Sequence, residues 1–437
     1  MNKNIGVIKI AIIVLGIFAS GAGAVPAEEW NKTFGGTGEN HATYSGQTED
    51  GGYILAGYAG SSQAGKFVWL IKTDANGNML WNRSFSSGDF NTVSSAQQTT
   101  DIGYILSGYT GPNTSSYKAW LIKTDSNGSE QWNKTFGKSG FDVASSVHQS
   151  LDGGYILAGR KRSRPDRMSE DDFDAWLIKT DANGNEIWNK TFGGTGRDEI
   201  ASVRLTSDGG YILAGGTNSY GHSWGDTWLV KVDKNGNDQW NRTYYGAHSI
   251  AQTASSAQET ADGGYIIAGI IFPIVDVPQS RMSSDAWLIK TDSTGNEQWN
   301  RTFGGKAENR ALSILQVSDG GYILAGDTSS YGANGVDALL IKTDSKGNEQ
   351  WNMTFGGKFR DEADSVSQTK DGGYILAGST MSYAAGDWNA WLIKVNGKPS
   401  GTTTPPSASP TERAAGFEVV LAITSLSAVY IFSWKRR

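Results

Sequence analysis

With 437 residues, 38% of them hydrophobic and 11% aromatic, the chain has the material for a large buried core and is not a disordered protein. A net charge of −6 argues against a general affinity for nucleic acid, whose phosphates require clustered Lys and Arg, and the lack of cysteine excludes disulfides, thiolate metal sites and cysteine nucleophiles. The 57 glycines against 9 prolines, with 16 tryptophans and 17 tyrosines, suit many short strands joined by tight turns, which points to an all-β fold.

At the N-terminus, Lys3 and Lys9 flank the start of the apolar run Ile10 to Phe18, which is followed by Ala22-Gly23-Ala24. This is the layout of a secretory signal peptide over residues 1–24, cut after Ala24. An uncleaved anchor helix is the alternative, although the run is short for a span, and both readings imply export.

From Trp30 onward the chain is periodic. An Asp-x-Gly-Tyr-Ile element starts at Asp50, Asp101, Asp152, Asp208, Asp262, Asp319 and Asp371, intervals of 51 to 57 residues that fall in the range of propeller repeats. A Trp-Leu-Ile-Lys-Thr-Asp element begins at Trp69, Trp120, Trp176, Trp228, Trp287, Leu339 and Trp391. A Trp-Asn-x-Thr-Phe element begins at Trp30, Trp81, Trp132, Trp188, Trp240, Trp299 and Trp351.

Each repeat reads as four strands. In the third they are Ala144 to Gln149, Tyr155 to Gly159, Trp176 to Thr180 and Glu186 to Phe192. Asp152-Gly153-Gly154 turns the first into the second, and the Asn-Gly of Asp181 to Asn185 makes a hairpin of the last two. Second and third strands are apolar on both faces, as sheets sandwiched between neighbouring sheets require. The first Trp-Asn strand precedes any complete repeat, and the seventh repeat stops at Trp391 to Val395 without one. The first strand therefore completes the last blade of a closed, seven-bladed β-propeller of four-stranded blades, which removes the free edges of an open array.

These copies resemble the Asp-Gly-Gly-Tyr / Trp-x-x-Lys-x-Asp-x-x-Gly repeats of secreted bacterial and archaeal β-propeller proteins, over Trp30 to Asn396. The resemblance implies the fold and leaves function open, because propellers serve as binding proteins, lyases, hydrolases and scaffolds.

The repeated Asp-Gly-Gly is turn chemistry: glycine supplies positive φ and Asp accepts backbone N–H groups. Gln47, Gln98, Gln149, Gln316 and Gln368, on the innermost strand, are placed to satisfy backbone near the central channel. The Asp-x-Asn-Gly-Asn turns lack the bidentate acid and ligand spacing of a calcium loop, and no metal or cofactor is expected. Acids ahead of the third strand (Asp174, Asp226, Asp285, Asp337) read as loop caps. Every Trp-Asn-x-Ser/Thr is a glycosylation sequon, at Asn31, Asn82, Asn133, Asn189, Asn241, Asn300 and Asn352, with more at Asn113 and Asn127; pairing along one strand face explains seven copies equally well.

Loop length varies chiefly between second and third strands, from 12 residues (Gly57 to Trp69) to 18 (Gly269 to Trp287), while the spacing from the fourth-strand aromatic to the turn Asp is 16 except for 18 from Tyr244 to Asp262, so specificity is expected on the face carrying the second-to-third loops. Two are long. Arg160, Arg162 and Arg164 open a basic loop offset by Glu170 to Asp174, read as self-paired and solvated, while Ile270 to Val275, with Phe272 and Ile274, is an apolar loop read as a partner contact or a plug over the channel.

Residues 398–412 form a Pro/Ser/Thr stalk, and within 413–437 the apolar stretch Gly416 to Trp434 precedes Lys435-Arg436-Arg437, a membrane segment with its basic tip cytoplasmic. Stalk, span and basic tip resemble the C-terminal sorting signal of archaeal surface proteins, with Ala415-Gly416-Phe417 in place of Pro-Gly-Phe. That resemblance implies exchange for a lipid anchor; a retained transmembrane helix gives the same topology. Residues 25–397 are then an extracellular ectodomain.

The four histidines fall at different repeat positions, and no Gly-x-Ser-x-Gly elbow or phosphate loop occurs. The reading is a membrane-anchored surface propeller that binds an extracellular protein or glycan, not nucleic acid, through its variable-loop face. A structural envelope component is the second reading, and a paired-carboxylate glycosidase or lyase built across blades is the third.

Overall fold

The computed structural model describes residues 25–397 apart from 62–64, 114–115, 139, 164–172, 222–224, 247–248, 274–282, 306, 332–334 and 385–386. The signal segment 1–24, the stalk 398–412 and the segment 413–437 lie outside the described residues. The regular elements among the described residues are all strands, and no helix there is long and apolar enough to cross a membrane.

The chain enters on β1 (Glu28–Phe34) and then forms its first unit, β2 (Glu39–Gln47), β3 (Tyr53–Ser61), β4 (Gly65–Thr73) and β5 (Met79–Phe85). All are antiparallel neighbours, and the pattern recurs along the chain as four-stranded sheets. Units one and two share one path only through the single parallel bridge Lys66↔Phe90. The sheet holding the last three strands (Asp361–Gln368, Tyr374–Thr380, Asn389–Val395) takes β1 as its fourth, paired from Trp30↔Lys394 to Phe34↔Ala390.

Burial explains why the middle strands are apolar throughout. Ile54, Leu55, Leu70 and Ile71 are at most 2% exposed, because each sheet packs on a neighbour through both faces. Each such side chain contributes about 1.5–3 kcal/mol relative to solvent exposure. The outer strands carry the junctions. Trp30 on β1 meets Tyr53 of unit one at 5.6 Å, and equivalent ring contacts, edge-on or tilted, join Trp81 to Tyr104, Trp132 to Tyr155, Trp240 to Tyr265, Trp299 to Tyr322 and Trp351 to Tyr374 at 5.6–6.4 Å. The sheet that ends the described chain thus packs on the one that begins it: Phe34, Tyr53, Leu55, Ile375 and Leu392 share one core cluster, and the Ser45 amide donates to Ser365 Oγ at 2.9 Å.

The Asp-Gly-Gly turn does more than turn. Asp50 Oδ1 accepts the Gly52 N–H at 3.0 Å and the Thr48 hydroxyl at 2.6 Å, and its carboxylate also meets Lys72 Nζ at 2.9 Å, a side chain only 6% exposed. Lys123–Asp101, Lys179–Asp152, Lys231–Asp208, Lys290–Asp262, Lys342–Asp319 and Lys394–Asp371 repeat this pair at 2.8–2.9 Å. The lysine of the third strand is therefore the buried partner of the turn aspartate. Gln149 Oε1 accepts the Thr100 N–H of the preceding unit's turn at 2.8 Å, and Gln47 and Gln316 bond Lys370 and Ala261 in the same way. The Asp-x-Asn-Gly-Asn turn is closed by its own donors: Asp74 accepts from Asn76 N, Asn78 N and Asn78 Nδ2 at 2.8–3.0 Å.

Two expected boundaries are corrected. The second strand of unit three runs Tyr155–Arg162 and that of unit five Tyr265–Pro273, so Arg160, Arg162 and Phe272 end strands rather than open loops. The ladder simply continues past the repeated residues, as Arg160↔Ala175 and Arg162↔Phe173, which satisfies backbone groups a loop would leave to solvent.

Candidate functional site

Seven near-identical units make the molecule its own control. The second strand reads Tyr-Ile-Leu-Ala-Gly or close to it in each unit, and the next residue differs every time but one: Tyr58, Tyr109, Arg160, Gly216, Ile270, Asp327, Ser379. Each pairs with a first-strand residue that also varies: His41, Thr92, Val143, Glu199, Thr253, Arg310 and Glu362. The glycine before the variable residue is obligatory, since a Cβ on Gly57 would stand 1.8 Å from the His41 carbonyl oxygen. These pairs sit where the strands run out toward the variable loops.

Each first strand also carries a β-bulge two residues later, a device that re-aims a side chain. The bulged residues are Thr43, Ser94, Ser145, Ala201, Ser255, Leu312 and Asp364. Thr43, Ser94, Leu312 and Asp364 line one cavity of about 380 Å³, which places bulges from units one, two, six and seven around a common space. At the turn face, His148, Arg204, Gln258, Leu315 and Ser367 from five first strands line a second cavity of about 450 Å³. First strands from several units therefore line both cavities, with the variable residues at the loop end.

That end has two characters. On units seven, one, two and three it is aromatic: His41 stacks on Tyr58 at 4.9 Å and lies 5.1 Å from Trp388, Tyr109 lies 4.5 Å from Tyr117, and Tyr117 lies 5.1 Å from Phe141. Lys66 Nζ stands over Tyr58 at 4.9 Å and Phe90 at 5.7 Å, paired with Glu39 at 2.9 Å. On units six and seven it is ionic: Arg310 Nε donates to both Asp327 oxygens at 2.8 and 3.1 Å and reaches Glu362 at 3.2 Å, which Arg360 Nε meets at 2.6 Å. Burial, strengthened by Glu362 and Asp327 and opposed by Arg310 and Arg360, raises the Asp364 carboxyl to about 7. Burial likewise lowers the His41 imidazole, against the opposite pull of Glu362.

Of the residues singled out from sequence, Arg160 donates to Glu199 Oε2 at 2.8 Å, which Arg197 meets at 2.9 Å, a tie to the next unit. The acids Glu170 to Asp172, on which the expectation of a loop paired within itself rests, lie outside the described residues. Arg162 is 7% exposed and lies over Phe141 at 4.5 Å and Phe173 at 5.4 Å, so it anchors the rim. Phe272 lines a cleft of about 170 Å³ with Arg197, Glu199, Asn218 and Gln252, the far side of the same Arg–Glu pair. Arg164, Ile274 and Val275 lie outside the described residues. The sequon asparagines Asn31, Asn82, Asn133, Asn189, Asn241 and Asn300 are exposed on outer strands, and Asn352 is half-buried. Asn133 Nδ2 donates to Glu130 at 2.6 Å and its Oδ1 accepts from Trp120 Nε1 at 3.3 Å, so strand-face pairing is present. Asn113 closes a second strand opposite Ser116, and Asn127 sits in a turn held by Asp125. Tyr58, Tyr109, Arg310, Asp327 and Asp364 were not singled out from sequence, although the residue after each Ala-Gly or Ser-Gly marks three of them.

No family model matches the chain. The regulatory protein FlaEY of Caulobacter vibrioides is 30% identical over 195 residues, covering 36% of this chain; the chain spans only 20% of that protein. Among solved structures, polysaccharide lyase Uly1 is similar with a TM-score of 0.53 at 12% identity, over 83% of this chain and 90% of that one. The Pan2 WD40 domain of Neurospora crassa gives 0.51 at 10% identity, over 83% and 91%. Puromycin hydrolase gives 0.50 at 12%, over 78% and 50%. Likeness at such identities shows a β-propeller fold and no activity, since it extends to a lyase, a hydrolase and a WD40 domain alike.

Proposed function

We propose that the chain is an exported, membrane-anchored surface protein whose residues 25–397 form a seven-bladed β-propeller closed by β1, and that it recognises an extracellular protein or glycan through the loop-end mouth of its channel. Closure is supported by the β1 ladder with Asn389–Val395 and by the Trp30–Tyr53 contact, which repeats the spacing of the other junctions. Export and anchoring rest on the signal-like residues 1–24, the stalk and the apolar C-terminal segment. Exposed sequon asparagines on outer strands are within reach of a glycosylation machinery on that route.

One observation carries the recognition reading: units that repeat their turns, core and lysine–aspartate pairs nearly unchanged diverge at the paired mouth positions, from the tyrosine pairs His41/Tyr58 and Thr92/Tyr109 to the ionic pair Arg310/Asp327. A purely structural coat gains nothing from such divergence. The test is binding of residues 25–397 to envelope polysaccharides and surface proteins, beside a variant whose loops in units three and five are cut to the 12-residue spacing of unit one. Binding weakened at least tenfold by trimming is the expected result. Binding by neither form points to a structural role, and conversion of a polysaccharide points to an enzyme.

A further inference from the structure

We propose that the cavity between Tyr58, Phe90, Tyr109, Lys66 and Asp364 binds a neutral sugar residue of a glycan, its ring stacked on the tyrosines and its hydroxyls shared by Asp364 and Lys66. The proposal deepens, and rests on, recognition at the loop-end mouth.

The bulge position is the first argument. Six units place Thr, Ser, Ala or Leu there, and the seventh places a carboxylate. Asp364 takes part in no hydrogen bond or ion pair among the described residues, although Arg310 and Arg360 are close enough to affect its titration. Those arginines are committed to Asp327 and Glu362. Asp364 is half-buried, and its carboxyl, with no protein donor among the described residues, is open to hydroxyl donors from whatever fills the cavity. The cavity it faces, about 380 Å³, is within the range of small-ligand sites.

Wall chemistry decides the ligand class. Three half-buried aromatic rings line one side, with Thr43, Thr92 and Ser94 as small polar groups beside them. An ammonium ligand would suit rings plus a carboxylate, but Lys66 Nζ already occupies the cation position over Tyr58 and Phe90. An anionic ligand would meet Asp364 beside Glu362 and Asp327. A neutral pyranose has an apolar C–H face for the rings, hydroxyl donors for Asp364 and hydroxyl acceptors for Lys66, and so satisfies the whole wall.

The test uses the full chain and saturation-transfer NMR with methyl glycosides of glucose, galactose, mannose and N-acetylglucosamine at millimolar concentration, with methylammonium and a neutral tripeptide as controls. Transfer to at least one glycoside and to neither control is expected. Tyr109→Ala should weaken it at least tenfold. The groups facing Asp364 are Glu362, Asp327, Arg310 and Arg360, with Tyr58 and Lys66 across the cavity. An ionised carboxylate accepts sugar hydroxyls better than a protonated one, so affinity should rise several-fold from pH 6 to 8, and Asp364→Asn should flatten that profile. Thermal melts of both variants exclude unfolding as the cause. Transfer to no glycoside, transfer to methylammonium or the tripeptide instead, or transfer insensitive to both substitutions overturns the proposal. If an envelope protein still binds in a loop-dependent way while no sugar does, the sugar site fails and recognition at the mouth stands.

Discussion

Ile102 occupies a turn position where the other six units have glycine, and it takes φ 61°, against 84° for Gly51 and 81° for Gly153. A β-branched residue in the left-handed region costs about 1–2 kcal/mol, and Ile102, 45% exposed, recovers little by burial. Glycine would remove that strain but carries about 0.5–1 kcal/mol of extra unfolded-chain entropy. Ile102→Gly should therefore stabilise the protein by about 0.5–1 kcal/mol, read from the midpoint of urea unfolding; an unchanged or lower midpoint would contradict the strain account. At this scale much of the turn chemistry is legible in the residues themselves. The partner of the turn aspartate is not: Lys72 lies 22 residues from Asp50, and only strand pairing brings its ammonium beneath that turn.

At the scale of elements, β1 is the strand whose place depends most on distant sequence. Its partners begin at Ala390, and its Trp30 and Phe34 are shared between the last sheet and unit one. Deleting residues 25–34 leaves Asn389–Val395 as a bare edge, with its N–H and C=O groups open to other chains. The deleted protein should melt well below the full chain, lose hydrogen-exchange protection over 389–395 and aggregate by light scattering; unchanged protection would show that β1 is not the fourth strand of that sheet. The half-units at the two ends made this pairing readable in advance, because counting repeats needs no geometry. Strand ends were harder. Arg160 to Arg162 and Ile270 to Pro273 depart from the repeated composition while the ladder continues beneath them, so a rule based on residue type stops the strand too early.

Across the whole molecule, repetition hides the mouth from sequence reading and also sets the response to acid. The mouth takes one or two residues from each unit, some 50 residues apart, which come together only when the strands converge. The turn pairs, by contrast, add up. Burial alone would raise Asp50, Asp208, Asp262 and Asp371, but hydrogen bonds from their threonine, lysine and glycine neighbours prevail and bring each to about 2. Asp101, Asp152 and Asp319 are lowered in the same way. A depressed carboxylate contributes stability that is fully present above its unfolded value of about 3.9 and is lost as pH falls through the folded value. Each aspartate is more than half exposed, so solvent screens each pair to a modest contribution. Above pH 4 the signs are mixed: the raised Asp364 gains stability as pH falls from about 7 toward 4, while His41 and His148, lowered by burial, lose it as pH falls below 6.5. Melting temperature should therefore vary little between pH 7 and 4 and drop steeply between about 4 and 2. Asp208→Ala should reduce the size of that drop, because one of seven protonations no longer costs folding energy; a drop centred above pH 5, or one unaffected by the substitution, would mean that other groups govern acid unfolding.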